Sequence, residues 1–306
     1  MSRYVVQRLL WIVPVVVGVS LIVFSIMKMV PGDVAQVIAG LDGTAEDVEL
    51  IRRDLGLDRP PYEQYLTFLW RSLQGDFGRS AVTKRPVVEE IGSRIWPTAE
   101  LAIAAFAVSI VVGLIAGIVS ATKRYTIWDN LATLVALIGV SMPVFWLGLM
   151  LMLLFSVTLG WLPSSGAGTP AQLVLPALAL GSASTAIIAR QTRSGLLEVL
   201  GQDYVRTARA KGLTERVVLV RHALKNALIP TITVAGLQVG YLMGGAVLAE
   251  TVFARPGLGR LLVDSIARRD IPVVQTTIML LSVTFVLVNL AVDLLYVKLD
   301  PRIQYD

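Results

Sequence analysis

Side chains able to do chemistry are sparse in this chain. It has no cysteine and a single histidine, His222. Thiol nucleophiles, disulfides, Cys-ligated metals and multi-histidine metal sites are therefore excluded. The phosphate-cradling pattern G-x-x-x-x-G-K-[ST] does not occur, and no Ser–His–Asp set is plausible around His222. What remains is a handful of polar and ionisable residues inside apolar sequence, where charge is costly and so points to function. Glu250 closes one apolar run and is a candidate for a gate or a solute contact. Asn289 and Asp293 are four apart, so they share a helix face; they either border a solute path or, for Asp293, pair with a nearby Arg or Lys. Glu100 and Ser109 lie in another apolar run.

A second group of residues is mechanical rather than catalytic. The stretch YVRTARAKGLTERVVLVRHALKNALIP, Tyr204–Pro230, crowds cations into an otherwise apolar chain. Lys211-Gly212 reads as a helix stop, with cations in the last turn and a glycine able to turn left-handed. Thr214 then starts a second helix with Glu215 in its first turn. Along that helix Val217, Val220, Leu224 and Leu228 are expected on one apolar face. An Arg at the centre of a membrane helix costs about 2.5–3.5 kcal/mol, so this segment does not span. It is expected to form a helix–turn–helix on the membrane surface whose turn, near Ala208–Leu213, protrudes. From geometry alone, that turn either enters a groove on a partner protein or rests on anionic lipid.

The elements that must position these residues are membrane helices. The chain is 55% hydrophobic and 16% charged, against about 25% charged in soluble domains. A spanning helix needs about 20 apolar residues. Six spans are expected, at about Leu9–Val30, Thr98–Ala121, Leu131–Val157, Leu173–Ala189, Leu228–Glu250 and Thr276–Val297. The fourth is short and rich in Ala, Gly and Ser, which suits close helix packing. The Lys- and Arg-rich loops place both termini and the basic hairpin in the cytoplasm. They also account for the net charge of +5, and no nucleic-acid partner is expected. The start of the chain resembles a signal peptide, but its apolar run is too long and lacks a cleavage site, so it is expected to be retained. Two segments then lie outside. Pro31–Pro97 is expected to form a small helical subdomain, with Thr44 and Asp47 at one helix start, Leu55-Gly56 at its stop and Pro61 at the next start. Thr251–Pro272 carries ARPGLGR, a Pro-Gly turn. The domain reading is 1–30 for the first span, 31–97 for the external subdomain and 98–306 for the remaining five helices, with the hairpin at about 195–227.

The hairpin resembles the signature of the permease subunits of ABC importers. That family's motif is E-A-A, three residues, Gly, then a downstream Leu-Pro or Ile-Pro. Gly212 and Ile229-Pro230 match, while Arg206, Thr207 and Ala208 stand where the triplet falls, so the acidic residue is missing. VPGD (Val30–Asp33), LGLDRPPYEQY (Leu55–Tyr65), GDFGRS (Gly75–Ser80), RPGLGRLLVDSI (Arg255–Ile266) and the closing DPRI (Asp300–Ile303) also fit. Together they resemble the dipeptide/oligopeptide/nickel branch, with AQVIAG (Ala35–Gly40) most like its glutathione type and then its dipeptide type.

The resemblance implies an all-α, six-helix inner-membrane subunit of a bacterial importer, non-catalytic, for short peptides of the glutathione or dipeptide class. Nickel chelates or other small solutes are the alternative within the family, and a secondary transporter is the alternative outside it. Arg206, Thr207, Ala208, Ala210, Lys211, Gly212 and Leu213 would form a coupling helix docked on a separate ATPase, whose ATP and Mg this chain does not bind. The implied partners are a second, homologous permease, two such ATPases and a periplasmic binding protein, beside membrane lipid. Arg255, Pro256, Gly257, Leu258, Gly259 and Arg260 would form a loop reaching toward cargo or binding protein, or else a turn connecting two packed helices.

Overall fold

A computed structural model describes residues 2–29, 34–40, 43–54 and 56–299. VPGD, DPRI, Leu55 and the side chain of Asp293 lie outside the described residues. Among the described residues there is no strand, only one isolated bridge between Arg79 and Pro86. The helices are α1 (Ser2–Met29), α2 (Val34–Ala39), α3 (Ala45–Asp54), α4 (Pro61–Leu73), α5 (Val87–Thr122), α6 (Ile127–Ser141), α7 (Val144–Leu151), α8 (Ala171–Leu200), α9 (Asp203–Ala210), α10 (Glu215–Val217), α11 (Leu224–Val252), α12 (Leu258–Ala267) and α13 (Ile271–Leu299). Among the described residues, five helices are long and apolar enough to cross a membrane, or six spans if one bent pair counts as one.

The bent pair is the expected third span. Ile127–Ser141 and Val144–Thr158 meet at 116°. Pro143 causes the break: it has no N–H to continue α6, and it pushes the residue before it out of the helical region. Met142 accordingly sits at φ −90° and ψ 131°. Pro14, Pro176 and Pro230 lie within continuous helices instead. A π-helical turn, Met152–Thr158, ends the second arm.

The chain divides into two compact units, Met1–Pro97 with Pro256–Val286, and Thr98–Arg255 with Leu287–Asp306. In the first, the helix start expected at Thr44 and Asp47 is a capping box: Asp47 Oδ2 accepts the Thr44 N–H at 3.0 Å, and Thr44 Oγ1 accepts the Asp47 N–H at 3.2 Å. The Thr44 hydroxyl, then its N–H, hold the Asp47 carboxyl below the usual carboxylate range. Pro61 occupies the first position of α4. GDFGRS is a turn, closed by the Gly78 N–H on Asp76 Oδ1 at 3.0 Å. Asp270 clasps the next loop, accepting from the Ser80 hydroxyl and, at 3.0 Å, from the Ala81 N–H. Val87, Ile91, Leu258, Leu261 and Val273 form the core beneath it.

The second unit is built around α8, which packs on α5, α6, α7 and α11. Leu101, Ala105, Ala177, Leu180, Leu242 and Ala246 form its largest cluster. The small residues of the expected fourth span do what their size allows. Gly181 lets α5 approach so closely that a Cβ there would stand 2.7 Å from the Ala105 carbonyl oxygen. Ser109 closes the crossing, donating to Ala105 O at 2.7 Å and Gly181 O at 2.9 Å. Ser109 is fully buried, so its hydroxyl joins helices rather than facing a solute.

Candidate functional site

The basic stretch folds as a hairpin. α8 ends at Leu200, α9 runs Asp203–Ala210, and the chain reverses at Lys211–Gly212. Gly212 has φ +79°, the left-handed conformation that L side chains resist. The returning arm is α10, a π-helical turn over Val218–Ala223, then α11. Val205 and Ala208 from one arm meet Val218 from the other, above Val199 and Leu200. Arg209 holds Glu215 with two hydrogen bonds, 2.7 and 3.2 Å, and those bonds raise the guanidinium further above its already high pKa. Asn226 Nδ2 donates to the Tyr204 hydroxyl at 2.8 Å. The tip is thus a small rigid knob, tied across its neck by an apolar cluster and two polar pairs.

The π-helical turn corrects the expected apolar face. An extra residue per turn rotates the register, so Val218, Ala223 and Ala227 are buried while Val217 and Val220 are 38% and 59% exposed. Of the seven coupling candidates, Arg206, Thr207, Ala210, Lys211, Gly212 and Leu213 are exposed at the knob. Ala208 is 5% exposed and belongs to the internal cluster instead. Sequence reading passed over Val205 and Val218; the signal available was a pair of valines placed almost symmetrically about Gly212.

The residues proposed to meet cargo are mostly interior. Glu250 is fully buried and accepts the Thr98 hydroxyl at 2.5 Å. Arg255 is 1% exposed; its Nη2 donates to Glu100 Oε2 at 2.8 Å and its Nη1 to the Gln172 carbonyl at 3.5 Å. In this structure Glu250 and Arg255, with Thr98, Glu100 and Gln172, tie α5, α8 and the end of α11 together. Gly257, Leu258 and Gly259 are buried as well, Leu258 within the core of the first unit, so only Pro256 and Arg260 of that loop face outward. Asn289 is half-buried on α13, and Asp293 is four residues along the same helix.

The Glu250 tie has a measurable weight. A hydrogen bond contributes about 0.5–1.5 kcal/mol. Thr98→Val is expected to lower the thermal midpoint of the purified protein without preventing membrane insertion. An unchanged midpoint would show that this bond carries no stability.

One polar cluster was missed entirely. Asp129, in the first turn of α6 and 3% exposed, accepts Arg193 Nε and Nη2, each at 2.9 Å. It also accepts the Ser120 hydroxyl and, at 3.1 Å, the Tyr125 N–H. Tyr125 is held at φ +63° by this arrangement. The available signal was a lone acid opening an apolar run, with an arginine inside the stretch otherwise assigned to the basic loop.

The comparisons agree with this architecture. The model of the "Binding-protein-dependent transport system inner membrane component" family matches residues 109–305. That of its N-terminal membrane component matches residues 1–102. The chain belongs to this family. It is a transport permease subunit and a multi-pass membrane protein. It is 47% identical over 305 residues to the glutathione transport system permease protein GsiC of Escherichia coli K12, covering 100% of each chain. The GsiC of Shigella dysenteriae serotype 1 matches to the same extent. Among solved structures, an inward-facing MetNI methionine ABC transporter chain aligns with a TM-score of 0.58 at 21% identity, over 68% of this chain and 95% of that one. A second crystal form gives 0.56 at 22% identity, over 69% and 96%. These two show a shared fold.

Proposed function

We propose that this chain is the membrane-spanning permease of an ATP-driven importer for glutathione or a similarly small peptide. The observation that carries this reading is 47% identity along the whole length to a glutathione permease, joined to an exposed, internally braced knob on the hairpin. In this reading both termini and the hairpin lie in the cytoplasm of a bacterial inner membrane. A second permease completes the pathway, two separate ATPase subunits receive the hairpins, and a periplasmic binding protein delivers cargo. The chain itself binds neither ATP nor metal. Arg206, Lys211, Arg216 and Arg221 are exposed on the hairpin, which suits an acidic or polar groove on the ATPase.

The division of labour follows from the side chains present. The knob is rigid and covalently continuous with α8 on one side and α11 on the other. Closure of two ATPases on nucleotide would displace it as a unit, and α8 with α11 would follow. The test is reconstitution of the chain with its neighbouring permease, ATPases and binding protein in proteoliposomes. Glutathione-loaded binding protein is expected to stimulate ATP hydrolysis and drive glutathione uptake. A complex that assembles and responds to nickel chelates but not to glutathione or dipeptides would reject the cargo; failure to assemble with any ATPase would reject the whole reading.

A further inference from the structure

The side chain of Tyr65 fixes the height of α4 along α1. Its hydroxyl donates to the Val17 carbonyl at 2.9 Å and shares a 3.0 Å hydrogen bond with Ser20 Oγ. Its ring lies 5.5 Å from that of Phe24, centroid to centroid. Leu10–Met29 of α1 is a candidate membrane span. At 1.5 Å per residue, Val17 lies about 18 Å down the axis from Met29 and Ser20 about 13 Å. The hydrocarbon core is roughly 30 Å thick, so the Tyr65 hydroxyl sits near its middle. A helix anchored there reaches into the apolar layer rather than lying above it.

A neighbouring face of α4 fits that depth. Tyr62, Leu66, Trp70 and Leu73 recur at helical spacing and are 64%, 59%, 65% and 81% exposed. On α1, Leu21, Ile22 and Ile26 are likewise 46–59% exposed. Backbone groups in lipid must be satisfied internally, and several of those at the ends of α4 are. Pro61 has no N–H to satisfy, while Glu63 and Gln64 donate to the Pro60 carbonyl. At the other end Gln74 and Asp76 donate to Arg71 O, and Gly75 to Ser72 O. The polar Gln64 side chain folds back onto the Leu57 and Arg59 carbonyls at 3.1 and 2.7 Å.

We propose that α4 is a membrane-embedded helix, seated in the leaflet at the Met29 end of α1, with Tyr62, Leu66, Trp70 and Leu73 packed against phospholipid acyl chains. Lipid is the occupant because the Tyr65 hydrogen bonds hold α4 at the depth of a candidate membrane span. The segment between the first two spans is then not wholly extramembranous.

The absence of native cysteine makes the test direct. Leu66→Cys, Leu73→Cys and, as a control on α3, Glu49→Cys are placed singly in the full chain, assembled and reconstituted. Leu66→Cys and Leu73→Cys are expected to react with a membrane-impermeant maleimide roughly tenfold or more slowly than Glu49→Cys, since labelling must await a rare exposed state. A fluorophore attached at either position before reconstitution is expected to be quenched by brominated phosphatidylcholine. Adding Tyr65→Phe is expected to speed labelling at Leu66→Cys. Labelling as fast as the Glu49→Cys control overturns the proposal. Protection from the reagent without quenching by brominated lipid also overturns it, because protein and not lipid then covers the face.

Discussion

Asp129→Ala is expected to destabilise the protein by about 3 kcal/mol, near the lower end of the range for breaking a buried ion pair. The lower end applies because the Arg193 side chain is 32% exposed while that of Asp129 is 5% exposed, so water partly compensates the orphaned guanidinium. The loss is not one bond. Asp129 receives two donors from Arg193, one from Ser120 and one from the Tyr125 backbone. It therefore joins the end of α5, the turn after it, the start of α6 and the lower part of α8. Arg193 lies on α8 ahead of the hairpin, so this pair pins the rod that the hairpin would move. The measurement is thermal unfolding of the purified chain beside that of Asp129→Asn and of the double variant Asp129→Leu/Arg193→Leu. The double variant is expected to recover much of the loss, because an apolar pair of similar volume removes both the charge and its partner. If the single variant melts like the parent, the pair does not hold the helices together.

How much could be read in advance depended on which physical signal was local. Long apolar runs fix the spans because a bilayer imposes a length, and the starts of α3 and α4 were legible because capping residues and a first-turn proline act within a few positions. Gly212 was legible for the same reason. The broken third span was half legible: Pro143 was visible as a proline in an apolar run, but whether such a proline bends a helix or interrupts it depends on what packs around it. Pro176 and Pro230, in equally apolar surroundings, lie in unbroken helices. The burial of Glu250 and Arg255 was not legible at all. Their partners Thr98, Glu100 and Gln172 lie roughly 80 to 155 residues away in sequence. A charged residue beside a Pro-Gly turn reads as a surface loop until the fold brings a carboxylate to it. The register of the returning arm failed more locally, since a π-helical turn adds a residue that a 3.6-residue period does not anticipate.

Gly212→Val is expected to lower transport at least about tenfold while leaving the membrane helices intact. At φ +79° a β-branched side chain is in a region it rarely occupies, and the strain is of order 1–3 kcal/mol. No atom lies within 4 Å of the position its Cβ would take, so nothing inside the hairpin clashes with it. The chain can relieve the strain only by changing the turn, and that moves Lys211 and Leu213 relative to the clamp made by Val205, Ala208, Val218 and the Arg209–Glu215 pair. In the proposed docking, an altered turn would no longer fit the groove of the ATPase. Glutathione uptake in the reconstituted system is expected to fall at least about tenfold, equivalent to about 1.4 kcal/mol of lost coupling. The ATPases, if still bound, should hydrolyse ATP without responding to loaded binding protein. Asn tolerates the left-handed conformation, so Gly212→Asn separates the two requirements at this position. Recovery of uptake with Asn assigns the defect to the backbone turn, and failure of both variants with normal assembly assigns it to the space a side chain would occupy on the docked face. Normal uptake by Gly212→Val would remove the hairpin tip from the transport mechanism.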